Sequence, residues 1–277
     1  MDTDTRAVPA ATGGSRTLLT LEKGLRLLNL FDVEHQQWSL RELREATGES
    51  KTNVLRITKT LEGLGYLVRD PASGKLRLGS SIVRLSYVTL SHSELVRTAV
   101  QPMRRLSQAV KETVDIMVEV ELGCLMSLYD VAPRFLGPQP STGRITQPGI
   151  TTAASKIFVA FRPEGTWDEI IAALVRPLTE LTITDPRELR EQLIMVKQDG
   201  VAFDRGEWNL ELVGVAAPIF GPQGGVRASI SIVAPFELSG PEEVALRADA
   251  VRATAAEISA ELGAPLERVA FLRNRRG

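Results

Sequence analysis

The sequence predicts an α+β protein in two parts: an N-terminal winged helix-turn-helix domain and a larger C-terminal domain built on an antiparallel sheet. Three observations predict it. Between Trp38 and Leu78 the chain orders two short amphipathic segments around a glycine turn, then two alternating runs around DPASG, which reads as helix, turn, helix and hairpin. Beyond residue 100, strand-like pairs are interleaved with helical segments, the pattern of an α+β domain. The 277 residues, 43% hydrophobic and 24% charged, suit two cores better than one.

Residues 1–16 are rich in Thr, Ala, Gly, Ser and Pro and are expected to form a disordered leader. Leu21, Leu25, Leu28 and Phe31 recur at helical spacing and predict a first amphipathic helix. Ser39 followed by Glu42 is a capping-box signature for a second helix, which buries Leu40, Leu43 and Ala46 and stops at Gly48. Ser50 caps a third helix with the apolar stripe Val54, Ile57, Leu61 and Leu64, closed by Gly63 and Gly65. Tyr66 to Arg69 and Lys75 to Leu78 then make the wing. The first domain is thus expected over residues 17–79.

One helix over 80–100, with Ile82, Leu85 and Leu95 on one side, is expected to link it to a domain over 101–264. That domain should hold helices at Met103–Lys111, Thr151–Phe161, Trp167–Val175, Pro186–Gln198 and Pro241–Leu262. Its strands should be Val114–Val120, Leu125–Tyr129, Gly214–Phe220 and Val226–Val233, the last two joined by a GPQGG turn. Residues 265–277, with Arg273, Arg275 and Arg276, read as a solvated basic tail.

Charge is a weak guide, since the net is −1. Its distribution points one way: Ser15 to Ser80 carries +3 and residues 81–277 carry −3. A single cysteine, Cys124, allows no internal disulfide and suits the cytoplasm. No opening basic segment with an apolar run suggests secretion, and no apolar run reaches the ~20 residues of a membrane span.

Placement says more than the total. The outward face of the third helix would carry Lys51, Thr52, Asn53, Arg56, Thr58, Lys59 and Thr60. Arg56 and Asn53 have the groups that read guanine and adenine edges in the major groove. Ser50, Lys51, Thr52 and Lys59 suit phosphates, which set register. Only Glu62 opposes the polarity. Arg69, Lys75 and Arg77 place positive charge on the wing. Any exposed helix face is polar, but paired helices, a short turn, a hairpin and a basic face together point to double-stranded DNA.

By these elements the chain resembles the IclR family of bacterial transcription regulators. The matching stretches are LEKGLRLLNLF, LRELREATGESKTNVLRITKTLEGLGYLVRDPASGKLRLGSSI, TTAASK, QDGVAFDRGEW and GVAAPIFGPQGGVRASISI. The resemblance implies a winged helix-turn-helix, a linker helix and a GAF-like effector domain. It implies a homodimer or homotetramer on a palindromic operator, more often a repressor, answering to a small carboxylic acid. It places that acid at the start of TTAASK, with Thr152, Ala153, Ala154, Asp204, Gly214 and Ser231 as the site. Physics agrees, because free N–H groups at a helix N-terminus attract a carboxylate. The family usually has His where this chain has Ile150, Gly at Ser155, Glu at Gly206, Gly at Glu211, and often Cys at Gly214. Loss of the histidine and cysteine makes the site more apolar and roomier, which favours a larger, aromatic acid over a two-carbon one.

An enzyme fused to a DNA-binding head is the rival reading. The second domain has no histidine, since His35 and His92 both precede it, so a histidine triad or histidine metal site is excluded there. Ser155 and Lys156 lack the S-x-x-K spacing, and no phosphate-binding glycine motif occurs. Cys124 reads as a buried, inert thiol, and strand alternation accounts for Asp115, Glu119 and Glu121. No catalytic residue, metal or cofactor is expected. A structural DNA binder without effector is the third reading, but it does not need so large a second domain.

Overall fold

The computed structural model describes residues 18–32, 35–132 and 142–274. The chain divides into two compact units, residues 1–93 and 94–277. The expected leader, Arg275 and Arg276 lie outside the described residues.

The first unit holds α1 (Leu19–Leu28), α2 (Leu40–Thr47), α3 (Lys51–Gly63), β1 (Leu67–Arg69), β2 (Leu76–Leu78) and α4 (Ser80–His92). Both helix starts follow local chemistry. The Ser39 hydroxyl accepts from Glu42 N–H while the Glu42 carboxylate accepts from Ser39 N–H, a complete capping box. Ser50 accepts from Asn53 N–H at the start of α3. Gly48 takes φ +67° to end α2, a conformation that costs a side-chain-bearing residue free energy. Trp38 exchanges two backbone hydrogen bonds with Leu76, so the wing carries a third, one-residue strand. The core is Leu27, Trp38, Leu43, Val54, Ile57, Leu67 and Leu76.

Several expected faces are turned. α1 buries Leu27, while Leu21 and Leu25 are 58% and 52% exposed. Gly24 lies over Ile57 of α3, which sets the helix down on the Gly24–Leu27–Leu28 side. Ala46 and Leu64 are exposed, and Thr58 is buried, its hydroxyl donating to Leu55 O.

The expected linker helix over 80–100 is two helices. α4 ends at His92, Ser93 is extended, and α5 runs Glu94–Val110 straight through Pro102. An interior proline costs about 3 kcal/mol. Here Leu95, Val96, Ala99, Met103 and Leu106 all bury on one side of α5 and offset that cost. The second unit therefore begins inside the segment read as a linker.

That unit is a five-stranded antiparallel sheet in the order β4-β3-β7-β6-β5. The strands are β3 (Thr113–Glu121), β4 (Cys124–Val131), β5 (Ala202–Arg205), β6 (Leu212–Phe220) and β7 (Val226–Pro235). One face, with Val114, Ile116, Val215, Ile230 and Ile232, packs on α5, α9 (Pro241–Glu261) and α10 (Leu266–Arg273). The other face carries α6 (Ala153–Ala160), backed by α7 (Trp167–Leu174) and α8 (Pro186–Asp199). Two elements were not expected. β5 is four residues and too short for alternation to reveal it. α10 occupies most of the supposed basic tail: Val269 and Leu272 bury, and Phe271 packs edge-on against Phe161 and Phe220. Among the described residues no helix is long and apolar enough to cross a membrane.

Candidate nucleic-acid face and ligand site

On α3 the buried stripe is Val54, Ile57 and Thr58, continued by the half-buried Leu61. At 3.6 residues per turn the opposite line is Thr52, Arg56, Lys59 and Gly63, all exposed. Among the described residues the charges of Arg56, Lys59 and Lys51 have no intramolecular partner, which leaves them available to a polyanion. Ser50 is engaged as the N-cap. Asn53 sits on the flank and donates to Glu49 Oε2 at 2.9 Å, and Glu49 is ion-paired to Lys23 at 2.7 Å. Asn53 is thus turned toward α1 rather than outward.

The wing differs more sharply from expectation. Arg69 donates to both carboxylate oxygens of Glu62, at 3.1 and 3.0 Å, and to Gly74 O at 2.9 Å. Glu62, which looked like a flaw in the basic face, is the acceptor that clamps the wing to α3. Arg69 is therefore spent inside the domain, and the wing's outward positive charge is Lys75 and Arg77. The tip between the two strands is shaped by Asp70, whose Oδ1 accepts from Ala72 N–H, Ser73 N–H and the Ser73 hydroxyl. Those bonds hold the Asp70 carboxyl below its usual range.

In the second unit, α6 begins over the sheet. Thr152 caps it, accepting from Ser155 N–H at 3.1 Å, so the preceding donors, Ala153 N–H and Ala154 N–H, stay free for a ligand. The strand register aligns two rows on the sheet face beneath. One runs Thr113, Val233, Gly214, Asp204 and the next Asp115, Ser231, Ala216, Ala202. A methyl on Gly214 would lie 3.4 Å from Asp204 Cβ and 3.6 Å from Ala153 Cβ, so Ala153, Asp204 and Gly214 meet at one point. Ser231 lies one row further along and faces the same side.

Asp204 is buried and its Oδ1 accepts from Glu207 N–H at 2.8 Å and Trp208 N–H at 3.3 Å. Burial dominates, pushing its carboxyl up to about 7. The loop it ties down is held from below by Lys156, which is 1% exposed. Its ammonium donates to Glu207 Oε1 at 2.5 Å, Gln192 Oε1 at 2.8 Å and Phe203 O at 3.0 Å. Burial raises the Glu207 carboxyl despite that lysine. Asp115 is also buried, with its carboxyl pushed up to about 7, chiefly by burial.

Thr113 Oγ1, Asp115 Oδ1 and Ser231 Oγ are all buried and make no hydrogen bond. Such atoms are costly unless something binds them. Sequence reading passed over Thr113, Asp115, Lys156 and Glu207. A polar residue at every second position of a strand looks solvent-facing, and only the covering of both sheet faces turns Thr113 and Asp115 inward. Cys124 is buried and burial raises its thiol, which suits an inert role.

Residues 20–71 match the IclR helix-turn-helix domain, and residues 87–260 match the bacterial transcriptional regulator IclR C-terminal domain. The chain belongs to the IclR family. It is a transcriptional regulator with a helix-turn-helix DNA-binding domain and an effector-binding C-terminal domain. Its relatives include the DNA-binding transcriptional repressor YiaJ of Escherichia coli, 28% identical over 79% of this chain and 78% of that one. Another is the p-hydroxybenzoate hydroxylase transcriptional activator of Acinetobacter baylyi, 29% identical over 74% of this chain and 76% of that one. Among solved structures, an IclR homolog complexed with 4-hydroxybenzoate, from Microbacterium hydrocarbonoxydans, superposes with a TM-score of 0.75. It covers 88% of this chain and 98% of its own at 22% identity, a likeness of fold alone. The regulators matched are not enzymes, and the family reading made from the sequence stands.

Proposed function

We propose that this IclR-family chain is a repressor acting in the cytoplasm as a homodimer that can pair into a tetramer. It binds a palindromic operator and responds to a small, aromatic carboxylic acid. The observation that carries the DNA reading is the outward line of α3, where Arg56 and Lys59 have no partner among the described residues. Arg56 reads a base, while Ser50, Lys51, Thr52 and Lys59 with Lys75 and Arg77 of the wing hold phosphates. Asn53 and Arg69 are held by Glu49 and Glu62 and must exchange those partners to reach DNA. Two-fold symmetry in the protein matches a palindrome in the DNA. Apolar side chains on α1 (Leu21, Leu25) and α4 (Val83, Tyr87) are exposed, and a second copy is the occupant that would cover them.

The ligand reading rests on the free N–H groups of Ala153 and Ala154 above Asp204, Gly214 and Ser231. The aromatic preference rests on the apolar, roomier site left by Ile150 and Gly214, and the relative named as the p-hydroxybenzoate hydroxylase transcriptional activator points the same way. The test is binding of the purified protein to the duplex upstream of its own gene against a scrambled duplex, across a panel of carboxylic acids. Selective binding that one acid weakens supports the repressor. An acid that strengthens binding replaces it with an activator or corepressed form. Loss of all selectivity removes the operator reading. Asp204→Ala should abolish the acid response and leave DNA affinity unchanged.

A further inference from the structure

The polar atoms beneath α6 are divided in a way that the carboxylate site does not explain. At one end lie the N–H groups of Ala153 and Ala154, beside Asp204, whose Oδ1 is held by the loop that follows it. At the other, Asp115, 8% exposed, Ser231 and Thr113, both 5% exposed, bring three unpartnered oxygens together. Thr113 and Asp115 are two apart on β3, and Ser231 is the register partner of Asp115 on β7, so the three share one face. Asp130, the register partner of Asp115 on β4, is the other carboxylate in this row and accepts from the Thr142 hydroxyl at 2.7 Å. Among the described residues no cation stands in the row. A ligand carboxylate is drawn to the α6 end instead, where the helix N–H groups lie and Asp204 Oδ1 is already engaged by the N–H groups of Glu207 and Trp208.

We infer that Asp115, with Ser231, is a specificity-determining residue that accepts a hydrogen bond from a hydroxyl on the far end of the effector, selecting hydroxylated acids over their plain parents. This rests on the effector reading above and deepens it. Gly214, beside Ala153, is two strands from β3 and one row from Asp115, roughly 12 Å on the diagonal. A hydrogen bond of about 3 Å at each end leaves room for a spacer the length of a benzene ring or a short carbon chain. Met117, next on the Asp115 face, packs with Leu125, Ala154 and Phe158, so the space adjoining the two polar ends is apolar. A ligand hydroxyl would satisfy an orphaned acceptor, and a hydrogen at that position would leave it orphaned. Sites built to bond a hydroxyl reject the analogue lacking it for that reason. Burial is the chief cause of the raised Asp115 carboxyl, and the neighbouring Ser231 hydroxyl offsets it only in part.

Two ligand pairs test the inference on the full-length protein by calorimetric titration at pH 8: 4-hydroxybenzoate against benzoate, and 5-hydroxyvalerate against valerate. The wild type should bind the hydroxylated member of at least one pair ten-fold or more tightly than its parent. Asp115→Val, a residue at home in a strand, should bring that ratio to near one. Asp115→Asn, which keeps an acceptor, should hold part of the ratio, and a thermal melt shows that each variant is folded. Equal affinities within both pairs in the wild type, or an undiminished ratio in Asp115→Val, overturn the inference and leave the effector site standing. Failure of all four acids to bind overturns the effector reading itself.

Discussion

Arg56 and Lys59 differ in what they should contribute, although both stand on the outward line of α3. Arg56→Ala should cost about 1–3 kcal/mol of operator binding and relax preference at one base position, which a shift assay on single-base operator variants would measure. Lys59→Ala should weaken every duplex alike and lower the slope of log affinity against log salt by about one. Lys156 shows the opposite use of a cation. It is enclosed, and Glu207 cannot be solvated without it. Removing one partner of a buried pair strands the other charge, so Lys156→Ala should destabilise the second unit by about 3–5 kcal/mol, read from urea unfolding. Replacing Lys156 and Glu207 together with Met and Leu should cost far less.

At the scale of elements, local chemistry and packing divide the work. The capping box at α2 is local, and Ser39→Ala should cost about 1 kcal/mol in thermal melting of the first unit. The wing is not local. Its angle to α3 depends on the bidentate contact between Arg69 and Glu62, seven residues apart. Glu62→Gln should therefore loosen the hairpin, visible as faster amide exchange at Leu76 and Leu78, and weaken operator binding even as it makes the face more positive. A gain in affinity would mean that charge on this face outweighs wing geometry.

At the scale of the whole second unit, two buried carboxyls leave a signature in pH. Asp115 and Asp204 both rest at about 7 when folded, above the roughly 3.9 of an exposed aspartate. The unfolded chain therefore holds fewer protons than the folded one between those values. Stability is full below about pH 4 as far as these two groups decide it, and falls as pH rises through 7. Melting temperature at fixed ionic strength should drop across that range, and Asp115→Asn should flatten the drop and raise the melting point at pH 8. An unchanged profile in that variant would show that Asp115 does not titrate there.

The sequence by itself determined the helix starts at Ser39 and Ser50, the stop at Gly48, the hairpin around DPASG and the five motif stretches. Each depends on neighbours within a few residues, so spacing and residue type suffice. The family and its two-part fold were legible for that reason, and the meeting of Ala153, Asp204 and Gly214 was legible through the motifs. Tertiary structure alone decided which leucines of α1 are covered, because helix spacing predicts a stripe but not which partner it meets. It alone broke the helix at Ser93, where α5 is drawn into another core, and turned 266–273 into a buried helix. It alone committed Arg69 to Glu62 and brought Asp115 beside Ser231. These depend on contacts between residues up to 152 positions apart, and no local pattern records whether a strand's polar side will meet water or a second layer of protein.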